Sequence, residues 1–246
     1  MQLKCIIGSF AHFLFFGIIL VSVIPSFFVY AFLLLLKKDL SYFFQKVFAY
    51  GNKIFFKIVP KIVVEIEPLP LLPQNAIYIA THQSILDYPI LTLFVKKHTM
   101  LAKINFKAVP FVNFLSNLVG VESLAAKNLE ELGYIYENLE KKLYSEENII
   151  LFPEGTRHEG CQLKSFKRGA FRLSSKTNKP MVPVVIEGLT KILPRKSFCF
   201  ITTQRTVVHV KVLTPIYPKD FKNDIEMMKH AQKIMQEEKY RLCELS

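Results

Sequence analysis

From residue 61 onward, short runs rich in β-branched residues alternate with longer stretches in which apolar positions recur every three or four residues. Residues 62–66, 76–80, 148–152, 181–187, 198–202 and 206–213 are the short runs, and each predicts a strand. Residues 88–97, 124–144, 165–176 and 221–242 carry the longer period and predict helices. The stretch 124–144 is the clearest, because Leu129, Leu132, Tyr136, Leu139 and Leu143 fall on one helical face. Strands alternating with helices predict an α/β domain whose sheet is mixed, mostly parallel and flanked by helices. No internal repeat or low-complexity linker divides it.

The first sixty residues follow a different pattern. Residues 5–36 contain no Asp, Glu, Lys or Arg and are dominated by Phe, Leu, Ile and Val. One straight helix of that length would reach about 48 Å, against about 30 Å for a bilayer's hydrocarbon core. Lys37 and Lys38 follow directly, where a cleaved leader would have small residues, so the segment is expected to remain on the protein. Pro25 offers a kink or a break. A tilted spanning helix and a helix pair re-entering one leaflet both fit, and the basic flanks Lys4 and Lys37–Lys38 set no orientation. In residues 41–61, Tyr42, Phe43, Phe44, Phe48, Tyr50, Phe55 and Phe56 are interleaved with Lys46, Lys53, Lys57 and Lys61. That pattern suits a helix at a headgroup layer, or equally one docked on the globular domain. The expected division is therefore an N-terminal membrane-associated helical segment, residues 1–60, and an α/β domain, residues 61–246.

Composition agrees with both parts. At 51% hydrophobic residues the 246-residue chain can bury a core, which excludes a disordered protein. The 32 Lys and Arg against 20 Asp and Glu leave a net charge of +12, favouring an anionic partner such as a lipid leaflet, a phosphorylated ligand or nucleic acid. Cys5, Cys161, Cys199 and Cys243 are widely spaced, with no Cys-x-x-Cys pair. They predict neither a zinc site nor a disulfide framework but separate reduced thiols, and hence a core facing the cytosol.

Four segments carry candidate chemistry. The first places His82 just after the strand at 76–80, with Asp87 five residues on. Ligands bind at the carboxyl ends of strands in α/β sheets. Five residues are about 500° of helical rotation, so the two side chains meet only across a turn. There Asp87 would fix the imidazole tautomer and leave the other nitrogen as a base. Asp87 could instead cap a helix starting at Tyr88. The second segment, residues 152–157, reads Phe-Pro-Glu-Gly-Thr-Arg after a strand. Gly155 lets backbone approach a ligand, and Arg157 offers a planar fork for phosphate; a solvated surface turn fits as well. The third, residues 103–111, is a basic-apolar loop leading to a helix, and the fourth, residues 182–186, is a buried strand.

Taken in order, these segments resemble the glycerophospholipid acyltransferase family, and within it the 1-acylglycerol-3-phosphate acyltransferases. The resemblance covers roughly residues 61–215. His82 and Asp87 match the family's His-x4-Asp block, Lys103 to Pro110 its lysine-containing block, residues 152–157 its Phe-Pro-Glu-Gly-Thr-Arg block letter for letter, and residues 182–186 its Val-Pro-Val strand. Thr81 stands where Asn is common, Asn113 where Gly is common, and Glu122–Ser123 where an Arg is often found.

The resemblance implies a 1-acyl-sn-glycerol-3-phosphate O-acyltransferase of phospholipid biosynthesis. It would move a fatty acyl group from acyl-carrier protein or acyl-coenzyme A to lysophosphatidic acid at the cytoplasmic face of the inner membrane. His82 would be the general base and Asp87 its orienter. Lys103 and Arg157 would hold the acceptor phosphate, with Glu154, Gly155 and Thr156 shaping the loop. No Gly-x-Ser-x-Gly elbow is present, so no acyl-serine is expected. Neither metal nor cofactor is expected, and an anionic membrane surface, not nucleic acid, is the expected partner. Rival readings are an acyltransferase for glycerol 3-phosphate or another lysolipid, a thioester hydrolase, and a basic membrane- or nucleic-acid-binding module.

Overall fold

The structure, a computed structural model, describes residues 17, 41–59, 61–103, 110–126, 128–194, 200 and 204–246. In chain order these form helix α1 (Ser41–Ile58), strands β1 (Ile62–Ile66) and β2 (Ile77–Ala80), helix α2 (Asp87–Leu91) and strand β3 (His98–Ala102). Helix α3 (Pro110–Leu118), strand β4 (Val121–Ser123), helix α4 (Leu129–Tyr144), strand β5 (Asn148–Leu151) and helix α5 (Gly169–Thr177) follow. The chain ends with strand β6 (Met181–Glu187), helix α6 (Leu189–Ile192), strand β7 (Thr206–Val212), a 3-10 turn (Pro218–Asp220) and helix α7 (Asp224–Leu245).

One seven-stranded sheet, in the order β1-β7-β6-β2-β5-β3-β4, runs through the molecule. Every neighbouring pair is parallel except β6 with β7, the mixed, mostly parallel arrangement expected. The pleat divides the core between the two faces. Tyr78, Ala80, Val182, Val184 and Ile186 point to the face covered by Phe55 and Phe56 of α1 and Ile90 and Leu91 of α2. Ile77, Ile79, Ile149, Leu151 and Val185 point to the other face, under Leu139 and Leu143 of α4, Phe171 of α5 and Met227, Ala231 and Met235 of α7. Because both faces are covered, β2 and β6 are buried along their whole length.

Helix α1 docks on the first face. Gln45 pairs with the His98 backbone in both directions at 3.0 Å, and Asn52 Nδ2 donates to Thr92 Oγ1 at 2.9 Å. The docked reading of this segment is the one observed; Phe43, Lys46, Tyr50, Lys53, Lys57 and Ile58 stay exposed on the side of the helix away from the sheet. The apolar run 5–36 lies outside the described residues, save Gly17. Among the described residues no helix is long and apolar enough to cross a membrane.

Strands β1 and β6 have the predicted bounds, and β2, β5 and β7 differ from theirs by a single terminal residue. The strand expected at 198–202 lies outside the described residues apart from Phe200, which is buried. The helix expected over 88–97 closes at Leu91 and loosens into turns, with Phe94 N and Val95 N both donating to the Leu91 carbonyl, before the chain extends into β3. The helix expected from 124 begins at Leu129, where the Asn128 side chain accepts from Glu131 N at 2.8 Å. Strand β4 ends at Ser123, and Leu124 N still donates to the Ala102 carbonyl at 2.8 Å, which keeps the start of the expected helix beside the sheet.

Candidate active site

Strand β2 lies between two parallel neighbours, β5 and β6, so the three carboxyl ends share one edge of the sheet. His82 emerges there, two residues past β2, with 23% of its side chain exposed. The chain then turns, and Asp87 opens α2, completely buried. The His82 Nδ1 to Asp87 Oδ2 distance is 2.8 Å. A carboxylate only accepts, so Nδ1 carries the proton and Nε2 is left as a base. The same Oδ2 accepts from the backbone N–H groups of Gln83 at 2.7 Å and Ser84 at 2.9 Å. Those donors precede the helix, so Asp87 braces the turn and does not cap α2, whose N-cap position is Leu86 with no side-chain bond.

The β2–β5 register sets Ile79 beside Leu151, which brings residues 152–157 out beside His82. The Phe152 and His82 rings stack with centroids 4.1 Å apart. Buried Glu154 bridges two segments: Oε1 accepts from His82 N and Oε2 from Lys164 N, both at 3.1 Å. His158 N donates to the His82 carbonyl at 2.8 Å. With both oxygens so engaged, Glu154 suits holding the loop to the histidine, not proton transfer. Gly155 sits at φ +67°, and a side chain there would meet the end of Lys167. Thr156 and Arg157 follow, half-buried. Lys103 is exposed just past the carboxyl end of β3. It shares this sheet edge but lies two strands from β2, about 10 Å across the sheet; residues 104–109 of its block lie outside the described residues. The geometry thus brings His82, Asp87 and 154–157 together and leaves Lys103 at the rim.

Behind the turn lies a buried polar group that sequence reasoning did not find. Thr81 Oγ1 accepts from Ile186 N at 2.9 Å and lies 3.2 Å from its carbonyl. Gln83 Nε2 donates to Glu187 Oε2 at 3.0 Å, and Glu187 forms an ion pair with Lys239. Lys239, 1% exposed, also donates to the Ile186 carbonyl at 3.2 Å. One signal was legible: Lys239 continues the apolar stripe of Met227, Ala231, Met235 and Leu242. One turn further on, Cys243 forms a disulfide with Cys161, their Cα atoms 6.1 Å apart. This corrects the expectation of separate reduced thiols. Spacing along the chain misled because the fold folds α7 back over the loop that follows residues 152–157. With the pair bonded, cysteine usage no longer argues for a cytosolic core. Among the described residues no group of three or more His, Cys, Asp or Glu could hold a metal ion.

A chloroplastic 1-acyl-sn-glycerol-3-phosphate acyltransferase of Arabidopsis thaliana is 31% identical over 143 residues, 57% of this chain and 40% of the relative. The 1-acyl-sn-glycerol-3-phosphate acyltransferase of Saccharomyces cerevisiae is 33% identical over 152 residues, 60% of this chain and 49% of the relative. The chain thus spans less than half the length of either. The crystal structure of the 1-acyl-sn-glycerophosphate acyltransferase PlsC from Thermotoga maritima superposes with a TM-score of 0.77 at 26% identity, covering 97% of each chain. The profile of the family described as Acyltransferase matches residues 61–187, just over half of the 246 and including His82, Asp87 and residues 152–157, and this chain belongs to that family.

Proposed function

We propose that this protein transfers a fatty acyl group from a thioester, carried on acyl-carrier protein or coenzyme A, to the sn-2 hydroxyl of lysophosphatidic acid, giving phosphatidic acid. The observation that carries the reading is the His82–Asp87 pair held against the Phe152–Arg157 loop across adjacent parallel strands. His82 Nε2 takes the acceptor's hydroxyl proton, and the oxygen attacks the thioester carbonyl. The tetrahedral intermediate collapses with loss of the thiolate, which receives the proton from His82. Asp87 holds the imidazole and supports its positive charge. Arg157 and Lys103 bind the acceptor's phosphate, and Glu154, Gly155 and Thr156 shape the loop that meets it. A backbone N–H is suited to the oxyanion. The chemistry calls for no metal or cofactor.

Residues 1–60 serve as the membrane anchor and 61–246 as the catalytic domain. The outward stripe of α1, with Phe43 and Tyr50 among Lys46, Lys53 and Lys57, supports contact with an anionic leaflet. The reading places the site on the cytoplasmic face of the inner membrane, the side from which a thioester donor would be supplied, although the Cys161–Cys243 disulfide does not favour that compartment.

The test uses the full chain with vesicles containing lysophosphatidic acid and each donor type. His82→Ala should lower kcat by about 10³-fold. Arg157→Ala should raise the acceptor KM by about ten-fold or more. Normal transfer by His82→Ala removes the mechanism. Acyl release without an acceptor favours thioester hydrolysis, and preference for glycerol 3-phosphate reassigns the acceptor.

A further inference from the structure

We propose that the buried Glu187–Lys239 ion pair is a positioning device for the catalytic histidine, acting through Gln83. The inference rests on the acyl-transfer reading above. Glu187 closes β6, Lys239 comes from α7, and Gln83 follows His82 directly. The link is short at each step. Lys239 engages Glu187, whose Oε2 accepts from Gln83 Nε2 at 3.0 Å. The Gln83 backbone N–H donates to Asp87 Oδ2 at 2.7 Å, and that oxygen holds His82 Nδ1 at 2.8 Å.

The pair supplies positioning, not stability. A buried ion pair gains little over apolar residues of similar volume, since desolvating both charges offsets their attraction; here the side chains are 1% and 8% exposed. The pair also fixes which way the Gln83 amide faces. A carboxylate accepts only, so the NH2 group must point at Glu187, while Gln83 Oε1 is buried with no partner. Left to its own satisfaction, this amide would turn; the carboxylate holds it. Finally, the segment at stake is a turn whose Asp87 Oδ2 receives three donors while Oδ1, also buried, receives none. Its geometry rests on one oxygen, so a small shift of residue 83 is passed to the imidazole. The disulfide at Cys243, one helical turn beyond Lys239, fixes the helix that supplies the cation.

The experiment compares wild type, Gln83→Met, Glu187→Leu/Lys239→Met and the triple variant as full chains in detergent. Two readouts are taken: kcat and acceptor KM with lysophosphatidic acid, and the nitrogen-15 shifts of His82, assigned against His82→Gln. All four proteins should fold, with Tm within a few degrees of one another. Wild-type His82 should show a single Nδ1–H tautomer, and each variant a mixture of tautomers. The two partial variants should lose about tenfold in kcat with KM within twofold, and the triple variant no more than Gln83→Met alone. Retained kcat, a retained single tautomer or additive losses overturn the proposal. If wild type transfers no acyl group, the acyl-transfer reading falls, while the tautomer comparison still decides the positioning.

Discussion

Asp87 and Gly188 show how much can depend on one residue's surroundings. From spacing alone Asp87 was as good a helix cap as a partner for His82. The structure separates these because its carboxylate accepts from residues 83 and 84, upstream of the helix. Helix propensity sees only the sequence after Asp87, whereas the bonds come from before it. Gly188 turns the chain at the end of β6, one residue past Glu187. At φ +99° it occupies backbone space that side chains resist, and a Cβ would lie 2.4 Å from the Val207 carbonyl oxygen, a backbone atom that cannot swing away. Gly188→Ala should therefore cost about 2–4 kcal/mol of unfolding free energy, read from urea titration. A change under about 0.5 kcal/mol would show that β7 yields there.

At the scale of elements, those with dense apolar periodicity were legible and those made by their neighbours were not. Strand β6, with Val182, Val184, Val185 and Ile186, declares itself. Strand β3, with His98 and Thr99 after two lysines, does not; it is a strand because β5 and β4 offer it ladders on both sides. The link between α7 and the loop after residues 152–157 is of the second kind. Cys161 and Cys243 are 82 residues apart, so their bond restricts a large part of the unfolded chain. The chain-entropy account sets a ceiling of about 4–5 kcal/mol for such a loop. Cys161→Ser and Cys243→Ser should each lower stability by about 2–4 kcal/mol, and a thiol reductant should lower the wild type to the same level. If reductant leaves the wild type's urea midpoint in place, the link carries no stability.

For the whole molecule, the two-faced sheet determines how the protein responds to pH. His98 is 2% exposed between α1 and α2; its Nε2 faces the Tyr88 hydroxyl at 2.9 Å and its Nδ1 has no partner. Burial pulls its imidazole down to about 4, since the charged form is the one that loses its hydration. The unfolded chain takes up this proton below about pH 6.5 and the folded chain only near 4. The unfolded state therefore binds more protons within that window, so the stability is present above it and is lost as pH falls through it. From pH 7 to pH 5 this one group should remove about 2 kcal/mol. His98→Gln should flatten the loss in urea titrations at the two pH values; an unchanged slope would assign it to other groups.

By itself the sequence determined the class of fold, the strands of the sheet's centre, and the identity of the candidate chemistry. It could do so because periodicity follows local burial, and because residues 152–157 match a family pattern letter by letter. Only the tertiary structure decided that His82 and residues 152–157 meet. They are about seventy residues apart along the chain, and they share a sheet edge because β2 and β5 pair in parallel. The same folding joined Cys161 to Cys243 and put Lys239 under Glu187. Such contacts depend on strand order and on where a helix returns across a sheet, quantities that no local window of residues contains.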